Sequence, residues 1–344
     1  MRARCFSPRP GCAGERVTGG GGSPVRYVRR RLVQLVLVLL GVSAATFLLI
    51  NLLPGDPTLA ILGPSATKEA QEALRADLHL DEPLPLRYGK WAAGALTGDL
   101  GESYVTRQPV AQAIGERLPL TIELMVIAEI LALAVAVPLG IVAGAKPNGW
   151  VDRVGGAVTF GLLSVPSFML GIVLIYLLAV RWHVFPATGI TEWFSVGRGR
   201  VATPRSILLP ALTLAVGEMA VAMRLLRSDL IATLQQDYIQ MARALGLPNR
   251  RILLRHALRP STFSLITVIG LNMGALIGGS FIVENLFALP GLGRLIVTSI
   301  YKRDYLIVQG GVLVVAVGYV VINFVVDLLY AVLDPRVRDA RATA

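Results

Sequence analysis

Residues 154–180 read VGGAVTFGLLSVPSFMLGIVLIYLLAV, 27 positions without a charged side chain. A helix rises about 1.5 Å per residue, so about 20 apolar residues cross a hydrocarbon core of roughly 30 Å. A helix on a soluble domain keeps one polar face, and this stretch has none. Five other stretches share its character. Leu32–Leu53 and Tyr305–Val326 hold 22 uncharged residues each, and Ser261–Val283 holds 23. Leu118–Ala145 is interrupted only by Glu123 and Glu129, and Ile207–Met223 only by Glu218. Membrane strands alternate apolar and polar positions with period two, and these runs do not. The pattern predicts an all-α polytopic membrane protein with six transmembrane helices.

Composition leads to the same class. The chain has 344 residues, of which 54% are hydrophobic and 16% charged, with a mean hydropathy of +0.63. Globular proteins carry about 25% charged residues, so this chain could not cover a soluble surface of its own. Both cysteines, Cys5 and Cys12, lie in the first dozen residues, which excludes a disulfide framework. His79, His183 and His256 fall in three separate loops and give no metal-ligand spacing. A phosphate-cradling loop needs Gly-Lys-Ser/Thr; only Lys90 follows a glycine, and Trp91 comes next. Nothing in the chain reads as catalytic.

The net charge of +11 is distributed by loop. Connections on one side of the spans, together with both termini, hold 20 Lys and Arg; those on the other side hold 13. The positive-inside rule therefore places both termini in the cytoplasm. No basic stretch is interleaved with aromatics, so nucleic acid is not expected as a partner; the lipid bilayer is. Residues 1–24, with Gly19–Gly22 and three prolines, read as a disordered lead, and 25–53 as an uncleaved signal-anchor. Translation is expected to start at Val25. A chain shortened to begin at Met followed by Arg26 should insert and transport like the full one; loss of the membrane fraction on blotting would show that the lead is needed.

Three acids lie at membrane depth. Glu123 sits near the outer end of the second span, Glu129 about 9 Å deeper, and Glu218 six residues before Arg224. A charge there costs several kcal/mol, so each must face the bundle or a wet path. Pathway lining and helix–helix hydrogen bonding both fit, and Asn272 joins them as a polar residue in the fifth span. Gly270-x-x-x-Gly274-x-x-x-Gly278 permits a close helix approach, either within the chain or to another subunit. Pro138 and Pro166 are candidates to break the second and third spans.

The 224–260 loop is the most informative connection. Asp237 is placed to cap a short helix 238–245, Gly246 to end it in a left-handed turn, and Pro248 to prevent its continuation. Asn249 is placed to cap a second helix 250–258, and Pro260 to mark the start of the fifth span. Arg251, Arg255 and Arg259 recur every four residues. Such a helix–Gly–helix element either rests on lipid headgroups or docks a cytoplasmic partner.

Here the chain resembles a known family. Gln240-Met241-Ala242-Arg243-Ala244-Leu245-Gly246 followed by Arg255-His256-Ala257-Leu258-Arg259-Pro260 is similar to the EAA loop of ATP-binding cassette (ABC) importer permeases. The form resembles the B-type subunit of dipeptide, oligopeptide and nickel importers. Other segments match in order from Val25 to Arg338: Leu53-Pro54-Gly55-Asp56-Pro57, Gly98-Asp99-Leu100-Gly101 with Ser103, Leu118–Leu124, Val165–Phe168, Phe287–Gly293 and Arg303-Asp304-Tyr305. Gln240 replaces the loop's eponymous glutamate, and His79 stands where glycine is expected.

The resemblance implies a type I importer permease in the bacterial cytoplasmic membrane. Its parts would be a first helix 25–53, an extracytoplasmic lobe 54–117, an ABC type-1 core 114–331 and a cytoplasmic tail 332–344. It implies a C-type permease partner, two ABC ATPases and an extracytoplasmic solute-binding protein. The chain itself would bind no cofactor; ATP and Mg²⁺ would belong to the ATPases. Tyr238, Ala242, Arg243, Gly246, Leu247, Arg250 and Arg251 would form the coupling surface. The competing class is a stand-alone secondary carrier using Glu129 and Glu218, which would need coupling-ion sites at mid-membrane.

Overall fold

The computed structural model describes residues 24–52, 58, 62, 66–77, 81–189, 193–196 and 199–333. The expected lead, the Leu53–Pro57 segment, His79 with Leu80, and most of the tail lie outside the described residues. The elements are α1 (Pro24–Leu52), α2 (Lys68–Asp77), α3 (Leu84–Thr97), α4 (Val110–Ala145), α5 (Trp150–Ser164) and α6 (Ser167–Leu174). α6 runs on as a π-helix, Ile175–Arg181. A short antiparallel hairpin follows, β1 (Trp193–Val196) and β2 (Gly199–Ala202). Then come α7 (Pro204–Leu234), α8 (Asp237–Ala244), α9 (Asn249–Arg251), a π turn Ile252–Ala257, α10 (Leu258–Leu286), α11 (Leu292–Tyr301) and α12 (Tyr305–Leu333).

Among the described residues, four helices are long and apolar enough to cross a membrane without a break: Val33–Leu52, Val110–Ala145, Pro204–Leu234 and Tyr305–Val326. Two further stretches are bent. α5 and α6 meet at 103°, and the two halves of α10 at 50°. The count is six if each bent pair is one span and four if neither is.

Two prolines, Pro138 and Pro166, show what decides a break. The residue before a proline is steered out of the helical region. At Val165 that preference wins, and the backbone is extended (φ −103°, ψ 126°). Residues 163–166 are exposed, so no packing opposes it. Pro138 has the same preference, but α4 continues through it to Ala145. There Ala128, Ala132, Ala136, Gly140 and Gly144, four residues apart, form a buried ridge. A Cβ on Gly140 would lie 3.2 Å from Leu226, and one on Gly144 2.9 Å from Leu230. Close backbone contact with α7 accompanies the unbroken helix here.

The glycines of α10 have a different neighbour. A side chain on Gly270 would collide with Val326, and one on Gly274 with Tyr319, both on α12. Gly278 faces open space. At its first two positions the stripe is intrachain packing.

At one end of the bundle α3 lies against α1. Phe47 and Tyr88 rings are 5.4 Å apart, Ser43 and Tyr88 share a 2.8 Å hydrogen bond, and Arg87 donates to Asn51 at 3.1 Å. Thr67 caps α2 through the Ala70 N–H. Gly98 (φ 88°) and Gly101 (φ 85°) then turn the chain into the α4 approach. Ser103 donates to Asp304, which also accepts the Tyr104 N–H at 3.2 Å. Two segments separated by 200 residues in sequence, Gly98–Ser103 and Arg303–Tyr305, are thus one junction.

Candidate functional site

The opposite end of the bundle carries the 224–260 element. α8 ends in a Schellman turn. The Leu247 N–H reaches the Ala242 carbonyl at 3.2 Å, and the Gly246 N–H reaches Arg243 at 2.9 Å. Gly246 has φ +77°, the left-handed region where a β-carbon is penalised. Leu247 folds back onto Ile239, Ala242, Ile252, Ala257 and Leu230, which make a small core beneath the turn. Of the seven residues expected at this surface, Tyr238, Arg243, Gly246, Arg250 and Arg251 are exposed. Ala242 is buried and Leu247 half-buried, so these two support the turn rather than face outward.

Three expectations need correction here. Gln236, not Asp237, occupies the N-cap; Asp237 lies in the first turn, where its charge complements the helix dipole. Pro248, not Asn249, precedes the second helix, because proline fits a helix start and lacks the N–H a cap must satisfy. That second helix does not stop at Leu258. Asn249–Leu286 is continuous, with the π turn Ile252–Ala257 inside it. Pro260 lies within α10 and meets the carbonyl of His256, four residues back; the wide π turn covers that position.

Sequence reading passed over Met241 and Leu245. They are 65% and 71% exposed, and with Tyr238 they form an apolar stripe on α8. The spacing 238, 241, 245 is a helical one and was available from the sequence. Arg243, Arg250 and Arg251 are exposed on the same 224–260 element.

The membrane-depth acids divide. Glu123 accepts the Ala202 N–H at 3.3 Å and so ties α4 to β2. Glu129 and Glu218 come together. They interact electrostatically, and Asn272 hydrogen-bonds the Glu218 carboxyl. Each acid keeps one oxygen, Oε2, without a hydrogen-bond partner. Glu129 is 9% exposed; Glu218 and Asn272 are half-buried.

A fourth acid, Glu284, was missed because it stands one residue past the uncharged stretch 261–283. It is fully buried near the end of α10. Thr121 donates to it at 2.6 Å, the Arg294 N–H at 3.0 Å, and the Gly293 N–H also points to it. Its carboxylate therefore caps the start of α11. A side chain on Gly291 would overlap it. The segment Phe287–Gly293 leaves room for this carboxylate. At the 224–260 end, Asp152 and Arg227 form a two-pronged ion pair joining α5 to α7, with the second prong at 2.8 Å.

Residues 24–125 match the N-terminal domain of binding-protein-dependent transport system membrane components, and 136–339 match their inner membrane component domain. A putative peptide transport system permease protein of Brucella abortus (strain 2308) is 41% identical over 90% of this chain and 98% of its own length. A probable peptide ABC transporter permease protein of Sinorhizobium fredii (strain NBRC 101917 / NGR234) is 38% identical over 91% and 99%. The glutathione transport system permease protein GsiC of Escherichia coli O6:H1 is 36% identical over 91% and 99%. Among solved structures, inward-facing conformations of the MetNI methionine ABC transporter superpose with a TM-score of 0.51. That match covers 65% of this chain and 97% of the other at 16% identity, a likeness of fold.

Proposed function

The chain belongs to the family of inner membrane components of binding-protein-dependent transport systems, and from that premise we propose that it is one permease half of an ATP-driven importer of peptides or peptide-like solutes. As a family member it is a multi-pass inner-membrane ABC importer permease, a transport subunit rather than an enzyme. The peptide reading draws support from its relatives, which include peptide and glutathione permeases. In this reading both termini and the 224–260 element face the cytoplasm, as the basic residues of the loops favour. A C-type permease subunit supplies the other half of the pathway. The 54–117 lobe meets a solute-binding protein outside.

The observation that carries the coupling part is α8. It exposes Tyr238, Met241 and Leu245 while burying Ile239 and Ala242 in the bundle end. An ATPase seated on that stripe would move α8, and the small core beneath would pass the displacement to α7 and α10. Purification from membranes in mild detergent should bring down two ATPase subunits with the permease pair. Transport by this chain alone in liposomes would overturn the proposal in favour of a secondary carrier.

Arg250 lies on the exposed rim just beyond the Schellman turn. Arg250→Glu reverses a charge without touching the turn, and exposed pairs contribute about 0.2–1 kcal/mol. ATPase binding should weaken by roughly two- to fivefold, more at low salt than at high. Binding measured by surface plasmon resonance across a salt series checks this.

A further inference from the structure

Glu129, Glu218 and Asn272 come from three different spans, and each lies within two residues of its helix midpoint: α4 spans Val110–Ala145, α7 Pro204–Leu234 and α10 Leu258–Leu286. These helices pack on one another; Glu129 interacts electrostatically with Glu218, and Asn272 hydrogen-bonds Glu218, so the three side chains meet between α4, α7 and α10. Intramembrane acids demand a partner, because an unneutralised carboxylate there is expensive. Here they have one amide between them. Asn272 gives its N–H to Glu218, leaving its carbonyl oxygen as an acceptor. Both Oε2 atoms are also free acceptors. Glu129 closes the back of the cluster at 9% exposure, while the half-buried Glu218 and Asn272 leave it open between α7 and α10.

We propose that Glu129, Glu218 and Asn272 form a binding site between α4, α7 and α10 for one primary ammonium group, the free amino terminus of the passing solute. An ammonium carries three N–H donors and no acceptor, and the cluster offers three acceptor atoms from three helices. Its single positive charge offsets one of the two carboxylates. A neutral amide or hydroxyl would leave the charge uncompensated. The cluster shows fewer than three acidic, His or Cys groups, and among the described residues no group of metal-ligand type is present. The identity of the amine as a peptide terminus rests on the peptide-importer reading above; the ammonium chemistry of the site does not.

The test uses the complete importer reconstituted in proteoliposomes. A hydrophobic carbodiimide labels carboxyl groups within the membrane, and mass spectrometry reads the adducts at Glu129 and Glu218. Saturating n-propylammonium should lower the total modified fraction of both residues, carbodiimide adducts and N-propylamides counted together, roughly tenfold by occupancy, whereas n-propanol should not. Equal labelling with and without the amine overturns the site. In a second arm, Glu129→Gln with Glu218→Gln should raise KM for trialanine but not for N-acetyl-trialanine, which brings no ammonium to the site. Equal loss for both peptides would show a packing role only and also overturn it. If the unaltered importer moves no peptide with ATP, the peptide reading fails, and the carbodiimide arm still judges the site.

Discussion

Gly246→Val is expected to leave the protein in the membrane and to disconnect it from its energy source. Gly246 has φ +77°, and a β-branched residue resists that conformation by about 1–2 kcal/mol. No atom lies within 4 Å of the Gly246 β-position, so the effect is backbone strain and not a clash. Relief requires the turn to open, which breaks the Leu247-to-Ala242 bond and lifts Leu247 off Ile239 and Ile252. The stripe Tyr238, Met241 and Leu245 then loses its fixed angle to the bundle. Stimulation of ATP hydrolysis by loaded binding protein should fall by an order of magnitude or more, about 1.4 kcal/mol per factor of ten. Insertion and protease topology should match the unaltered protein, since no span is touched. Gly246→Asn should lose far less, because asparagine tolerates the left-handed region. Normal stimulation in the valine variant would remove the 237–258 element from the coupling role.

The residues behind this expectation are legible in the sequence alone. Gly246 followed by Pro248 encodes a helix stop, and local backbone chemistry fixes it whatever surrounds it. The uncharged stretches were legible for the same reason: hydrocarbon leaves the backbone little choice. What was not legible depends on packing. Pro138 and Pro166 have identical local rules and opposite outcomes: Pro138 stands between the buried ridge residues Ala136 and Gly140, whereas residues 163–166 are exposed. The glycine stripe of α10 was conspicuous, yet the ridge Ala128–Gly144 on α4 makes the longer contact; alanines at helical spacing look like ordinary helix formers. Cap positions shifted by one residue because a proline or glutamine can precede a helix without a side-chain bond. Glu129 and Glu218 were each visible, but only the fold brings them together with Asn272.

Glu284 illustrates the second kind, and its removal is expected to be the most damaging single change in the bundle. Its carboxylate is fully buried and gathers the Thr121 hydroxyl with the Gly293 and Arg294 N–H groups. Thr121 in turn accepts the Leu292 N–H at 2.9 Å. One side chain therefore organises the start of α11 and joins it to α4 and α10. Glu284→Ala leaves three donors in a dry site, and each unsatisfied buried group costs about 1–3 kcal/mol. It also opens a void of four heavy atoms, Cγ, Cδ and both carboxylate oxygens, beside Gly291. Marginal stability cannot absorb several kcal/mol, so the variant should show a greatly reduced folded yield in detergent and a Tm lowered by many degrees. Glu284→Gln keeps the volume and one acceptor oxygen while turning an NH₂ toward donors, so it should fall between the two. Adding Gly291→Ala to the Glu284→Ala background supplies part of the missing volume but none of the acceptors. It should recover little of the lost Tm if hydrogen bonding dominates, and most of it if the void does. Size-exclusion profiles and thermal melts of the four proteins separate these outcomes. A Glu284→Ala chain that melts like the original would show that water reaches the start of α11 and satisfies it in the carboxylate's place.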